Sequence, residues 1–276
     1  MPIVETNGIE TYYEAYGSGH PIVVLHGAGA DHQVWAEQLR SLTDEYRVIL
    51  YDLRGHGKTG GSALGRYTVN TYADDLAGVL DALDLDQPVV LGHSLGGMVG
   101  YVFAHKYPEQ LSALITVGAR TPETFSRKEW VFKTVHTHLL VPVMRNERVR
   151  EAILWAQTTL FDDSTVDVDD YERIKVAHDC AAPELVAGEY AKIMDASREY
   201  LTSRWSWQLS GVPLLMLYGE HEPFIEPHAA FLEDSVEDCE TAVIPGASHN
   251  AQVDNPSFIC TRIREFLAER REVTVP

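Results

Sequence analysis

The stretch Val89–Gly100, VVLGHSLGGMVG, sets a serine between two glycines where an apolar run gives way to small residues. The run before it has the character of a buried strand, and the residues after it that of a helix. A chain turning straight from strand to helix at Ser94 strains the serine backbone, while Gly92 and Gly96 let neighbouring elements come close. The hydroxyl then stands above the sheet at a helix N-terminus, where the Leu95 amide and the helix dipole face a developing oxyanion. This is the setting of a nucleophile. A serine hydroxyl is weakly nucleophilic at neutral pH and needs a base, and the chain holds twelve histidines.

The elements around this turn alternate. Short apolar runs at Pro21–His26, Tyr46–Asp52, Pro88–His93, Ala113–Gly118, Pro213–Gly219 and Thr241–Gly246 have the pattern of strands buried on both faces. Between them, Val69, Tyr72, Leu76, Val79, Leu80 and Leu83 share one helical stripe. Asp74, Asp75, Asp81 and Asp84 fall mostly off it, towards solvent. Asn255 and Pro256 open a last helix whose apolar face is Phe258, Ile259, Ile263, Phe266 and Leu267. Asn7-Gly8 marks a hairpin turn at the N-terminal end. Such alternation predicts an α/β fold with a mainly parallel sheet flanked by helices. From about Thr121 to Gln208 the pattern is helical throughout, with Phe132 and Val135 on one stripe. This predicts an all-helical cap (121–208) inserted into a core of residues 1–120 and 209–276.

His26-Gly-Ala-Gly-Ala-Asp31, Tyr51-Asp-Leu-Arg-Gly-His-Gly-Lys-Thr59, Gly92-His-Ser-Leu-Gly-Gly97, Gly219-Glu-His-Glu-Pro-Phe224 and Pro245-Gly-Ala-Ser-His249 occur in this order. On these motifs the chain resembles the α/β-hydrolase fold superfamily over nearly its whole length, and within it the capped serine esterase and lactonase-like branch. The resemblance implies an eight-stranded sheet and a Ser–acid–His order of catalytic groups. It implies His249 as the base and Glu222, fourth in the Gly219 turn, as the orienting acid. Aspartate is commoner at that position, so Glu222 is a departure, and Glu220 is its rival. It also implies the Ala28 amide as second oxyanion donor beside Leu95. His93, His26 and His56 are expected to be structural, and Asp52 and Arg54 to form a buried pair bracing their loop. Trp130, Trp155, Phe161 and Met194, with Phe132 and Trp205, are expected to line an apolar pocket. No metal-ligand cluster stands out, and the implied chemistry needs neither metal nor cofactor.

Three readings follow: hydrolysis of a carboxylic ester or lactone of a small-to-medium hydrophobic substrate; another triad reaction, namely carbon–carbon bond hydrolysis or cofactor-free perhydrolysis of the haloperoxidase type; or ligand binding with slow turnover. A serine at position 94, rather than an aspartate, argues against dehalogenase and epoxide hydrolase chemistry. Forty-one acidic residues face 22 basic ones, for a formal net charge of −19. Such a surface repels nucleic acid and anionic lipid, so the expected partner is a small molecule, and neither nucleic acid nor a membrane. The charge is compatible with a monomer or a homo-oligomer. No basic residue precedes Arg40 and no apolar run is long enough to span a bilayer, so a cytoplasmic protein is expected. The three widely spaced cysteines carry neither metal nor disulfide spacing. Self-repulsion at this net charge predicts salt adaptation: the melting temperature should rise between low-salt buffer and molar KCl as the charges are screened. A melting temperature independent of KCl would remove the halophilic reading.

Overall fold

A computed structural model of the chain describes residues 2–59, 67–135, 187–203, 209 and 211–273. The chain runs β1 (Ile3–Thr6), β2 (Ile9–Tyr16), β3 (His20–Leu25), α1 (Ala36–Leu42), β4 (Tyr46–Tyr51), α2 (Val69–Ala82), β5 (Val89–His93) and α3 (Leu95–Lys106). There follow β6 (Ala113–Val117), α4 (Arg127–Val135), α5 (Ala187–Thr202), β7 (Leu214–Gly219), α6 (Glu226–Ser235), β8 (Cys239–Ile244), α7 (Ala251–Asp254) and α8 (Pro256–Val273). The eight strands form one sheet in the order β1-β2-β4-β3-β5-β6-β7-β8. From β4 to β8 every pairing is parallel, whereas β1 and β2 are antiparallel additions. Asn7 (φ 42°) and Gly8 (φ 76°) both take the left-handed conformation, so the hairpin turn falls where Asn-Gly placed it.

Period-two alternation splits the strand side chains between two cores. Val23, Leu25, Val90, Leu114 and Met216 face α2, α3 and α5, whose Leu76, Met98, Ile193 and Tyr200 join them. Ile22, Val24, Leu91, Ile115 and Leu217 face the other way, onto Leu42 of α1 and Ile259, Ile263 and Phe266 of α8. Strands buried on both faces are the expected companions of parallel pairing. The Asn255 side chain accepts the Phe258 amide at 3.2 Å, capping α8 as its sequence signalled. Among the described residues between β6 and β7 there are helices and no strand.

Three expectations need correction. Asp75 points inward: its residue is 1% exposed, and it receives Arg54 through Nε (2.8 Å) and Nη2 (2.6 Å). Asp52 and Arg54 are both buried but are not each other's partners. Asp52 Oδ1 instead accepts the His32 ring at Nδ1 (2.8 Å) and the His32 amide (2.9 Å). The two residues, two positions apart in one loop, each reach across to a different element, Asp52 to His32 and Arg54 to α2. β8 is an edge strand, so it is only half-buried and Val243 is 44% exposed.

The Arg54–Asp75 pair is also tied to the hairpin, since Asn7 donates to Asp75 at 2.8 Å. Removing one member of a buried pair leaves the other uncompensated. Asp75→Ala should therefore lower unfolding free energy by about 3 kcal/mol or more, read from urea denaturation. A loss within the range of exposed pairs, below about 1 kcal/mol, would contradict this.

Candidate active site

The residues with chemistry all leave the carboxyl ends of the parallel strands, where open α/β sheets bind ligands. The chain passes from β3 outward to β4 and from β5 outward in the opposite direction, so β3 and β5 flank the topological switch point. Ser94 follows β5 directly and has φ 49°, ψ −109°. The turn is possible because α3 passes close over β5: a side-chain carbon on Gly92 would lie 2.4 Å from the Gly96 backbone, and one on Gly96 2.7 Å from the Leu25 and His26 carbonyl oxygens. Leu95 is the first residue of α3, so its amide has no acceptor within the helix. Ala28 lies in the turn after β3, which closes with the Ala30 amide donating to the Gly27 carbonyl at 3.3 Å. The His26 ring holds that turn. Its Nε2 accepts the Leu53 amide at 3.0 Å, so Nδ1 carries the proton and donates to the Gly27 carbonyl at 2.8 Å.

Ser94, His249 and Glu222 are brought together in one line. His249 Nε2 is 3.0 Å from Ser94 Oγ, and His249 Nδ1 is 2.7 Å from Glu222 Oε1. A carboxylate only accepts, so Nδ1 is the protonated nitrogen and Nε2 is free to accept the serine proton. The Glu222 side chain is fully buried, while His249 is 39% exposed on the solvent side. The loops carrying them are stitched at their bases. The Glu222 amide donates to the Gly219 carbonyl (3.0 Å), and the His221 amide to Ala247 (2.8 Å). Gly219 has no side chain because a carbon there would lie 2.2 Å from the Ser248 carbonyl oxygen, where the histidine loop crosses.

Other candidates fall outside this line. Glu220 is exposed and accepts the Gly246 amide at 2.8 Å, closing the histidine loop from below. His93 donates through Nε2 to the His249 carbonyl at 2.8 Å. Burial, reinforced by the nearby His249, lowers the His93 pKa to about 3; burial lowers that of His56 to about 3 as well. His26 is likewise shifted down by burial. Trp130 is 41% exposed and Phe132 51% exposed on α4, and Met194 is half-buried on α5. Trp155, Phe161 and Trp205 lie outside the described residues.

Sequence reasoning passed over two residues of the segment after β6. Gly118 has φ 59°, and a side-chain carbon there would sit 2.9 Å from Glu222 Oε2 and 3.3 Å from His249 Nδ1. Arg120 is 9% exposed and lies beside the same carboxylate, with Nη2 3.5 Å from Glu222 Oε1. Their position just beyond a central parallel strand was the available signal. No group of three or more potential metal ligands occurs among the described residues. No described helix is long and apolar enough to cross a membrane.

The chain belongs to the alpha/beta hydrolase fold family, whose pattern it matches over residues 20–256. It is 25% identical over 280 residues to the 2-hydroxy-6-oxo-6-(2'-aminophenyl)hexa-2,4-dienoic acid hydrolase of Metapseudomonas resinovorans, covering 98% of this chain and 92% of that one. It is 26% identical over 265 residues to the pimeloyl-[acyl-carrier protein] methyl ester esterase of Vibrio campbellii, covering 93% and 98%. Among solved structures, a thermophilic esterase from Thermogutta terrifontis superposes with a TM-score of 0.75 at 25% identity, covering 98% of this chain and 99% of that one. Family and relatives together support hydrolase activity on a small molecule.

The buried neutral histidines give the fold an acid liability. An unfolded imidazole takes a proton near pH 6.5, whereas the folded His93 resists it down to about 3. Its stabilising contribution is thus complete above pH 6.5 and is lost as the pH falls. His93→Gln should flatten the decline of unfolding free energy below pH 6.5 by up to about 1.4 kcal/mol per pH unit. Parallel declines in the two proteins would contradict this assignment.

Proposed function

We propose that the protein is a serine hydrolase that cleaves a carboxylic ester or lactone of a small-to-medium hydrophobic substrate. The observation that carries this reading is the continuous hydrogen-bonded line from Ser94 Oγ through His249 to the buried Glu222 carboxylate. Ser94 is the nucleophile, His249 the general base and Glu222 the acid that fixes the imidazole tautomer. Ser94 Oγ attacks the carbonyl carbon while its proton passes to His249 Nε2. The amides of Ala28 and Leu95 hold the oxyanion. The intermediate collapses as the imidazolium protonates the leaving alkoxide, giving an acyl-enzyme. Water, deprotonated by His249, then releases the acid and restores the serine. The chemistry uses no metal or cofactor. In this reading α4 and α5 belong to a cap inserted into a core of residues 1–120 and 209–276, and Trp130 and Met194, which these helices carry, line the substrate pocket.

Carbon–carbon bond hydrolysis is the second reading, favoured by the likeness of the whole chain to a hydrolase named for a 2-hydroxy-6-oxo-hexadienoic acid. Both readings use the same serine; they differ in the bond placed at the oxyanion site.

Wild type should hydrolyse p-nitrophenyl acetate, butyrate and octanoate, with kcat falling about 10⁴-fold or more in Ser94→Ala. Equal rates in wild type and Ser94→Ala would overturn the nucleophile assignment. A 2-hydroxy-6-oxo-dienoate cleaved with far higher kcat/KM than any ester, and still through Ser94, would establish the second reading over the first.

A further inference from the structure

The triad acid is not alone in its burial. Arg120 Nη2 donates to the Pro223 carbonyl at 2.9 Å, gripping the turn that carries Glu222, and lies 3.5 Å from Glu222 Oε1. That oxygen is the one bonded to His249. On its other side the guanidinium turns Nε towards Glu129 Oε1 of α4, 3.5 Å away. Glu129 is held in turn. Its Oε2 accepts the Ser126 amide at 2.7 Å, and its Oε1 lies 2.9 Å from His228 Nε2 of α6. His228 Nδ1 accepts the Thr121 amide at 2.9 Å, so the ring is neutral and donates through Nε2 to Glu129. The Ser126 and His228 bonds hold the Glu129 carboxylate charged against its burial, with its pKa below the ordinary value. A second contact joins the same elements: Phe132 of α4 lies against Phe224 of the acid turn, with ring centroids 6.0 Å apart.

The resting arrangement therefore buries two carboxylates, Glu222 and Glu129, around one fixed cation, Arg120. Proton transfer from the serine adds a second cation at His249. We propose that Arg120 is a positioning residue for the Glu222–His249 pair, and that Glu129 on α4 holds Arg120 in place, so that the seating of α4 governs how strongly the triad acid supports the imidazolium. This rests on the triad reading above. Arg120 acts in two ways. It clamps the Glu222–Pro223 turn, which a glutamate needs more than an aspartate because its longer chain has an extra rotatable bond. It also draws charge from Glu222 Oε1 and so tempers the basicity of His249. The other groups around His249 do not vary in the same way. His93 is neutral, Glu220 is exposed and accepts the Gly246 amide, and Asp254 is half-buried and accepts the Ser248 amide.

The test is the pH profile of kcat/KM with a p-nitrophenyl ester for wild type, Arg120→Met, Arg120→Lys and Glu129→Gln, with Ser94→Ala as control and melting temperatures for all. In Arg120→Met the unopposed carboxylates should raise the acidic limb by about one pH unit and lower kcat about tenfold or more. In Glu129→Gln, a near-isosteric change, the limb should move to lower pH, because Arg120 then opposes Glu222 alone. Arg120→Lys should keep the limb near the wild-type position but recover only part of kcat, since an ammonium cannot bridge both carboxylates. Opposite displacements of the limb support the proposal. If Ser94→Ala abolishes turnover but Glu129→Gln, and Arg120→Met where it folds, keep the wild-type limb, Arg120 is only a structural ion pair and the proposal falls while the triad stands. If Ser94→Ala retains the wild-type rate, the triad reading itself fails.

Discussion

The site depends on one backbone residue held where an L-amino acid does not rest willingly. Ser94 at φ 49° forgoes about 1–2 kcal/mol relative to ordinary backbone. The structure sustains this by over-determining the turn from both sides. The Ser94 amide donates to the Val117 carbonyl at 2.9 Å, and its carbonyl accepts the Met98 amide at 3.0 Å. One bond belongs to the sheet and the other to the helix, so relaxing the serine would cost an end of each. The glycines on either side are the condition for that geometry. They allow α3 to lie close against β5 and the β3 loop, which brings the Ser94 hydroxyl and the turn holding Ala28 to the same edge.

The same edge shows how the sheet and the loops together set the spacing of the site. Ser94, Gly118, Glu222 and His249 leave four successive strands, β5 to β8. At about 4.8 Å per step the tips of β5 and β8 stand roughly 14 Å apart, and the loop after β8 spans that gap to bring His249 Nε2 within 3.0 Å of Ser94 Oγ. The acid and histidine loops reach back over the tips of β6 and β7. Short backbone links join the strand ends, such as Glu220 N to the Ile244 carbonyl at 3.1 Å and Gly118 N to the Leu217 carbonyl at 2.9 Å. A hydrolase needs its reacting groups aligned to a fraction of an ångström, and here the rigid strand ends anchor the two loops that carry Glu222 and His249.

Features carried by local chemistry were legible in the sequence. Asn7-Gly8 named its turn, Asn255-Pro256 its helix start, and the apolar runs their strands; the G-x-S-x-G turn fell where its glycines required. The acid turn was legible only through its resemblance to a family. What stayed hidden was long-range pairing among charged residues. Asp75 sits off the apolar stripe of α2 by helical periodicity, yet it is buried because Arg54, 21 positions earlier, reaches it from another loop. Nothing in a hydropathy pattern separates a buried paired carboxylate from a solvated one. Arg120 and Glu129 escaped notice for the same reason, since each reads as an ordinary surface charge until the fold brings their partners across.

That limit bears on the glutamate at position 222. A side chain one methylene longer than aspartate has to fit between the β6 loop and the imidazole. The space comes from Gly118, where even a methyl group would press against both Glu222 and His249. Room alone would leave the longer side chain free to choose rotamers, and Glu222 Oε2 has no hydrogen-bond partner among the described residues to restrain it. Restraint must come from Oε1 and from the turn itself, the two features that His249 and Arg120 engage. Glycine at 118, arginine at 120 and glutamate at 222 thus bear on a single steric problem: the first leaves the space, the second grips the turn, and the third fills the space.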